Sequence, residues 1–192
     1  MAKNSGFRQD KPHSGVLGKL YLTSRQRRIV AKWVCYALVL VMLSVLQDVI
    51  FSQMRIFGAT TDLVPCGIFL ICIFEGVHTG SVFALSAAVA YLFSDPGVGI
   101  YAMVLVVAVA VFFSIFREAY LQKGFGATML CTAAAMFTYE TAVFLIGLFL
   151  HQTYWQRIVG FLITATLSQL AAPLLYPMVS VIGKIGGDIW RE

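Results

Sequence analysis

Residues 55–101 read RIFGATTDLVPCGIFLICIFEGVHTGSVFALSAAVAYLFSDPGVGIY, and this stretch decides the fold. A polar loop at 55–62 leads into two apolar runs, 63–74 and 81–93. EGVHTG at 75–80 separates them, and SDPGVG at 94–99 closes the stretch. The runs are too apolar for a water-facing helix and too heavily punctuated for one long span. They predict a helical hairpin of two short, antiparallel members.

The rest of the chain agrees with a membrane setting. Of 192 residues, 59% are hydrophobic and only 12% are charged, and the mean hydropathy is +0.83. Globular chains are roughly 45–50% apolar and about 25% charged. A soluble domain of this size leaves too much surface exposed to hide so many apolar groups. The expected class is therefore an all-α integral membrane protein with one folded unit. Cys35, Cys66, Cys72 and Cys131 all fall inside apolar runs, with no CxxC pair and no histidine at ligand spacing. They read as small packing residues.

A span needs about 20 mostly apolar residues. Six candidates follow: 30–51, 62–78, 79–94, 99–116, 126–150 and 158–182. The second and third are short for a bilayer, so they need shielding by neighbours or a locally thin membrane; a re-entrant hairpin over 62–94 is the alternative. The domain plan is a basic arm at 1–28, a six-helix transmembrane unit at 29–183 and a tail at 184–192. Lysine and arginine counts set the orientation. Lys3, Arg8, Lys11, Lys19, Arg25, Arg27, Arg28, Lys32, Arg117, Lys123, Lys184 and Arg191 fall on one side, and only Arg55 and Arg157 on the other. Both termini are therefore expected in the cytoplasm. The polar, basic first thirty residues do not read as a signal peptide. Val16, Leu17, Leu20 and Tyr21 beside the basic residues suit the anionic inner leaflet, although a purely topogenic arm explains them equally well.

Within the spans, Asp62 is placed to cap the second helix, and Pro65 lies in its first turn, where a missing N–H costs little. Gly80, Ala84 and Ala88 recur every four residues, the pattern of a close helix–helix contact in lipid. Asp95, Pro96 and Gly97 make a turn signal, and Gly99 opens span four. Pro173 and Pro177 predict kinks in span six. Trp33, Tyr154, Trp155 and Trp190 lie near span ends, as an aromatic belt does.

Glu140 is the sharpest single residue, a carboxyl near the middle of span five. Counting depth from the outer helix ends predicts Gln169 of span six as its hydrogen-bond partner. Three roles stay open for Glu140: a structural hydrogen bond, contact with a partner's transmembrane helix, or a proton or substrate site. Gln47, Asp48, Arg55, Asp62, Asp95, His151 and Arg157 populate an outer rim, either solvated or a docking surface. No GxSxG, HExxH, P-loop or dinucleotide fingerprint occurs. His13, His78 and His151 are scattered, so neither enzymatic activity, a metal nor a cofactor is expected. The basic arm lacks the interleaved aromatics of a nucleic-acid platform.

Taken together, RIFG at 55–58, Thr61-Asp62-Leu63, Glu75-Gly76, Gly80 and DPGVGIYA at 95–102 resemble the rod-shape-determining protein MreD family. The resemblance covers about 50 residues. The family's Pro-Asp-Leu turn is Thr61-Asp62-Leu63 here, and its usual acidic position falls on Tyr91, with Asp95 four residues later. The resemblance implies a non-enzymatic component of the bacterial cell-elongation machinery in the inner membrane. Its implied partners are an MreC-like membrane protein, the MreB filament and the RodA/penicillin-binding-protein synthase pair. It also implies a fold similar to the substrate-binding component of energy-coupling-factor vitamin transporters. On this reading Glu140, Gln169, Gly80, Ala84, Ala88, Asp62, Asp95, Gly97 and Gly99 are candidate partner contacts. The competing reading is a vitamin-transporter substrate-binding component. It would need several polar groups converging in the outer half of the spans, and the sequence offers few by position.

Overall fold

The structure is a computed structural model that describes residues 24–51, 61–93, 99–121 and 124–185. The arm at 1–23, the loop at 52–60 with Arg55, the turn with Asp95 and Gly97, and the tail from 186 lie outside the described residues.

Among the described residues all regular secondary structure is helical. The elements are α1 (Ser24–Leu46) with a π turn (Gln47–Phe51), α2 (Leu63–Glu75), α3 (Val77–Leu92), α4 (Ile100–Tyr120), α5 (Phe125–Phe149) and, after a 3-10 turn (Trp155–Arg157), α6 (Ile158–Ile185). The stretch containing α1 (Gln26–Val49), α4, α5 and the stretch containing α6 (Trp155–Ile185) are each long and apolar enough to cross a membrane. The shorter α2 and α3 have 13 and 16 residues, or about 20 and 24 Å at 1.5 Å per residue.

The packing explains why α2 is so short and so apolar. It touches each of the other five helices, and every residue of it except Phe74 is buried. A helix that is hydrophobic all round belongs at the centre of a bundle. Its neighbours carry the outward surface: Val34, Leu38, Val41 and Val45 of α1, Val104 and Phe112 of α4, and Leu170, Leu174 and Val181 of α6 are all exposed. Such a shell suits hydrocarbon and is poorly matched to water.

Two glycines set the α2–α3 hairpin. Gly76 has φ 88°, a left-handed conformation that side chains with a Cβ resist. A Cβ on Gly80 would lie 2.6 Å from the Cys72 carbonyl oxygen, so the two helices touch backbone to backbone there. Gly80, Ala84 and Ala88 are all buried. The stripe predicted as a helix contact thus packs inside this chain and leaves none of the three at its surface. Gly99, with φ 59°, leads into α4. Helix α6 runs unbroken through Pro173 and Pro177. All four cysteines are free thiols, and Cys66, Cys72 and Cys131 are buried in the packing.

The contacts order the helix ends. Lys32 meets Glu75, Glu118 meets Val77, and Phe125 stacks on Tyr176. The starts of α1, α3 and α5 therefore share one end of the bundle with the last turns of α2, α4 and α6. This is called the basic end below, for Arg27, Arg28, Lys32, Arg117 and Lys184. The start of α2 lies toward the opposite, far end.

Candidate functional site

The start of α2 sits deep. Glu140 is nine residues from the far end of α5, about 14 Å in at 1.5 Å per residue, and Asp62 meets it at that depth. A chain entering a bundle this far inside must satisfy its free N–H groups from other helices. Asp62 makes no side-chain cap of its own. Gln47, turned inward by the π turn that ends α1, caps the helix instead. Its side-chain oxygen accepts from the Val64 N–H at 3.0 Å, and its amide nitrogen donates to Asp62 Oδ1 at 3.4 Å. From α6, Ser168 Oγ accepts from the Asp62 N–H at 2.8 Å. These three bonds replace the cap expected from Asp62 itself.

Around this knot lie more polar groups. The carboxyl groups of Asp62 and Glu140 lie against each other, and two carboxyl groups this close avoid like-charge repulsion when they share one proton. The Tyr91 and Tyr139 hydroxyls lie beside each other and beside this pair. Thr61, Tyr91, Tyr139, Glu140 and Ser168 are all buried. Glu140 Oε1 and Thr61 Oγ1 have no partner among the described residues. The sequence treated Gln47, Asp62, Tyr91 and Glu140 as separate features, and the fold brings them into one nest. Tyr139 and Ser168 went unnoticed, since a lone hydroxyl in an apolar run carries no signal without knowledge of which faces meet.

Two expectations are corrected here. Glu140 is not bonded to Gln169. The Gln169 amide donates to the Met129 carbonyl at 3.3 Å, because depth alone does not fix which faces of α5 and α6 meet. The polar groups toward the far end of the bundle do converge, contrary to the expectation from their positions in the sequence. That expectation had counted against a small-molecule site.

A second polar knot lies at the basic end. Lys32 Nζ donates to Glu75 Oε2 at 2.5 Å and Tyr36 to Glu75 Oε1 at 2.5 Å. Lys32 and Glu75 have side chains only 6% and 4% exposed, so this is a buried ion pair. Lys32 entered the sequence reading only as one of the basic residues counted for orientation, but α1 begins early enough to draw it into the bundle. Arg117 donates to the Ile73 and Phe74 carbonyls, satisfying the otherwise open C-terminus of α2. Ser114 adds a bond to the Cys72 carbonyl at 3.3 Å. Both ends of the central helix are thus held by polar side chains from its neighbours.

The surface between α1 and α3 is hollowed. Trp33 and Phe83 stack at 5.5 Å toward the basic end. Beyond them lies a groove of about 450 Å³, lined among others by Ala37, Val41, Ser44, Ser86, Ala87 and Ala90. Val64 of α2 and Tyr91 of α3 also line it, so it borders the polar nest. No group of three or more metal-binding side chains occurs among the described residues. Comparison with protein-family models, with curated proteins and with solved structures finds no match.

Proposed function

We propose that this protein is a non-enzymatic scaffold of the bacterial inner membrane, acting in cell elongation as the MreD-like sequence features imply. In this reading all six helices cross the membrane, both termini are cytoplasmic, and the groove between α1 and α3 receives the transmembrane helix of an MreC-like partner. The groove is the observation that carries the reading. Its lining of Ala37, Ser44, Ser86, Ala87 and Ala90 lets a second backbone approach closely, and close packing of small residues drives association where lipid supplies no hydrophobic force. Tyr91, at the family's usual acidic position, stands beside both the groove and the Asp62–Glu140 pair. The acidic group of the pattern is then supplied from α2 and α5. MreB and the RodA/penicillin-binding-protein pair would join through that partner.

The polar nest favours a second reading. Ionisable groups deep in a membrane bundle often mark an ion, proton or substrate path. A vitamin-binding transporter component would use Asp62, Glu140, Tyr91 and Gln47 as ligands. Purification in mild detergent followed by mass spectrometry separates the two. The scaffold reading expects an MreC-like protein in stoichiometric yield. A tightly bound small molecule, or ATPase subunits in its place, overturns it.

A further inference from the structure

Arg117 is a buried cation whose one nearby carboxylate, Glu118, lies beside it without closing an ion pair. Its residue is 9% exposed, and Lys32–Glu75 is the only ion pair within 4 Å among the described residues. Its Nη1 serves the carbonyls of α2, while its Nε has no partner among the described residues. A buried cation whose nearest carboxylate is shared with a backbone N–H is costly to hold and gains from a further anion.

The guanidinium lines a cleft of about 500 Å³ at the basic end, shared with Glu118, Gly124, Tyr176 and Ser180. Glu118 is the one carboxylate there, and its Oε1 already accepts from the Val77 N–H at 3.0 Å. Tyr176 and Ser180 are four residues apart on α6, so they share a face. Gly124 precedes the 25-residue α5, whose first turn has no side-chain cap. The open N–H groups and dipole of that turn favour an anion. The cleft thus combines a guanidinium, two hydroxyls and a helix N-terminus at the rim of an apolar bundle.

We propose that this cleft binds a phosphate ester, with Arg117, Tyr176, Ser180 and the first turn of α5 holding its oxygens. The phosphodiester headgroup of an anionic lipid is the source that fits a site at the edge of the lipid-facing surface. The inference is independent of the scaffold reading. Position 124 offers a clean test. Its backbone is extended at φ −171° and ψ 162°, and a Cβ there meets nothing within 4 Å. Asp and Asn are both good N-cap residues, so Gly124→Asp and Gly124→Asn should both fold, yet only Asp repels an anion.

The experiment titrates the purified full chain in neutral detergent with phosphatidylglycerol, phosphatidylcholine or inorganic phosphate. Binding is read by native mass spectrometry and by the unfolding temperature. The expected result is phosphatidylglycerol binding at least tenfold tighter than phosphatidylcholine. It should weaken at least tenfold in Gly124→Asp and in Arg117→Gln, and markedly less in Gly124→Asn, whose neutral cap competes for the same N–H groups without repelling the headgroup. Charge-sensitive stabilisation by inorganic phosphate would support the anion site with a soluble ester as its source. Equal binding of both lipids with no phosphate effect, or identical behaviour of the Asp and Asn variants, would overturn the proposal.

Discussion

At the scale of single residues, the buried polar groups hold the bundle in register, and their energetics are measurable. Lys32 and Glu75 are both taken out of water, so removing one leaves the other charged and unpaired. Lys32→Met is expected to cost about 3–5 kcal/mol. The double variant Lys32→Met/Glu75→Gln should recover most of that loss in detergent-unfolding titrations; no recovery would mean that Lys32 acts through packing alone. Glu140 behaves differently, because its carboxyl lies against that of Asp62, close enough for the two to share a proton. Glu140→Gln keeps a hydrogen-bonding group and should stay within about 1 kcal/mol of the parent, whereas Glu140→Ala leaves Asp62 short of a partner and should cost about 1–3 kcal/mol. Equal stability of the two variants would show that the contact does not support the fold. Glu140 stood out in the sequence as a carboxyl in an apolar run. Its partner did not, because Asp62 lies 78 positions earlier and looked like a surface cap. Lys32 was hidden among the basic residues around it.

At the scale of the element, the α2–α3 hairpin is the keystone. All six helices lie close to the spans that hydropathy predicted, since runs of apolar residues and Gly/Asp/Pro punctuation act locally. What hydropathy could not supply is the third dimension. It gave α2 as a short span in need of shielding, but not as the helix that all others surround. The uniform apolarity of residues 63–74 held that information, because a lipid-facing helix shares its burden with a packed face while a central one has no outer face. The same limit applies to the stripe of Gly80, Ala84 and Ala88: its spacing reveals a close contact without saying with which helix. A direct consequence follows for Gly80. Gly80→Val places side-chain atoms against the Cys72 carbonyl, where no flexible neighbour can yield. Folded protein, measured as the monodisperse fraction after detergent extraction, should fall severalfold, while Ser81→Val, next to it and half-buried, should have little effect.

At the scale of the whole molecule, the chain is a helical bundle with an apolar exterior, a polar knot at each end of its central helix and a groove between α1 and α3. The composition and the hydropathy pattern made the membrane setting legible, whereas the groove depends on the angle between two helices that no local pattern encodes. On the proposed scaffold reading, function at this scale rests on what fills the groove. Site-specific photo-crosslinking in living cells tests it most directly, with the reactive group placed at Val41 or Ala90 in the groove and at Leu174 on the exposed face of α6. The expected result is an adduct with the transmembrane helix of an MreC-like protein from Val41 and Ala90 and none from Leu174. An adduct of equal yield from Leu174, or groove positions that capture only lipid while the partner still co-purifies, would contradict the scaffold assignment of this face.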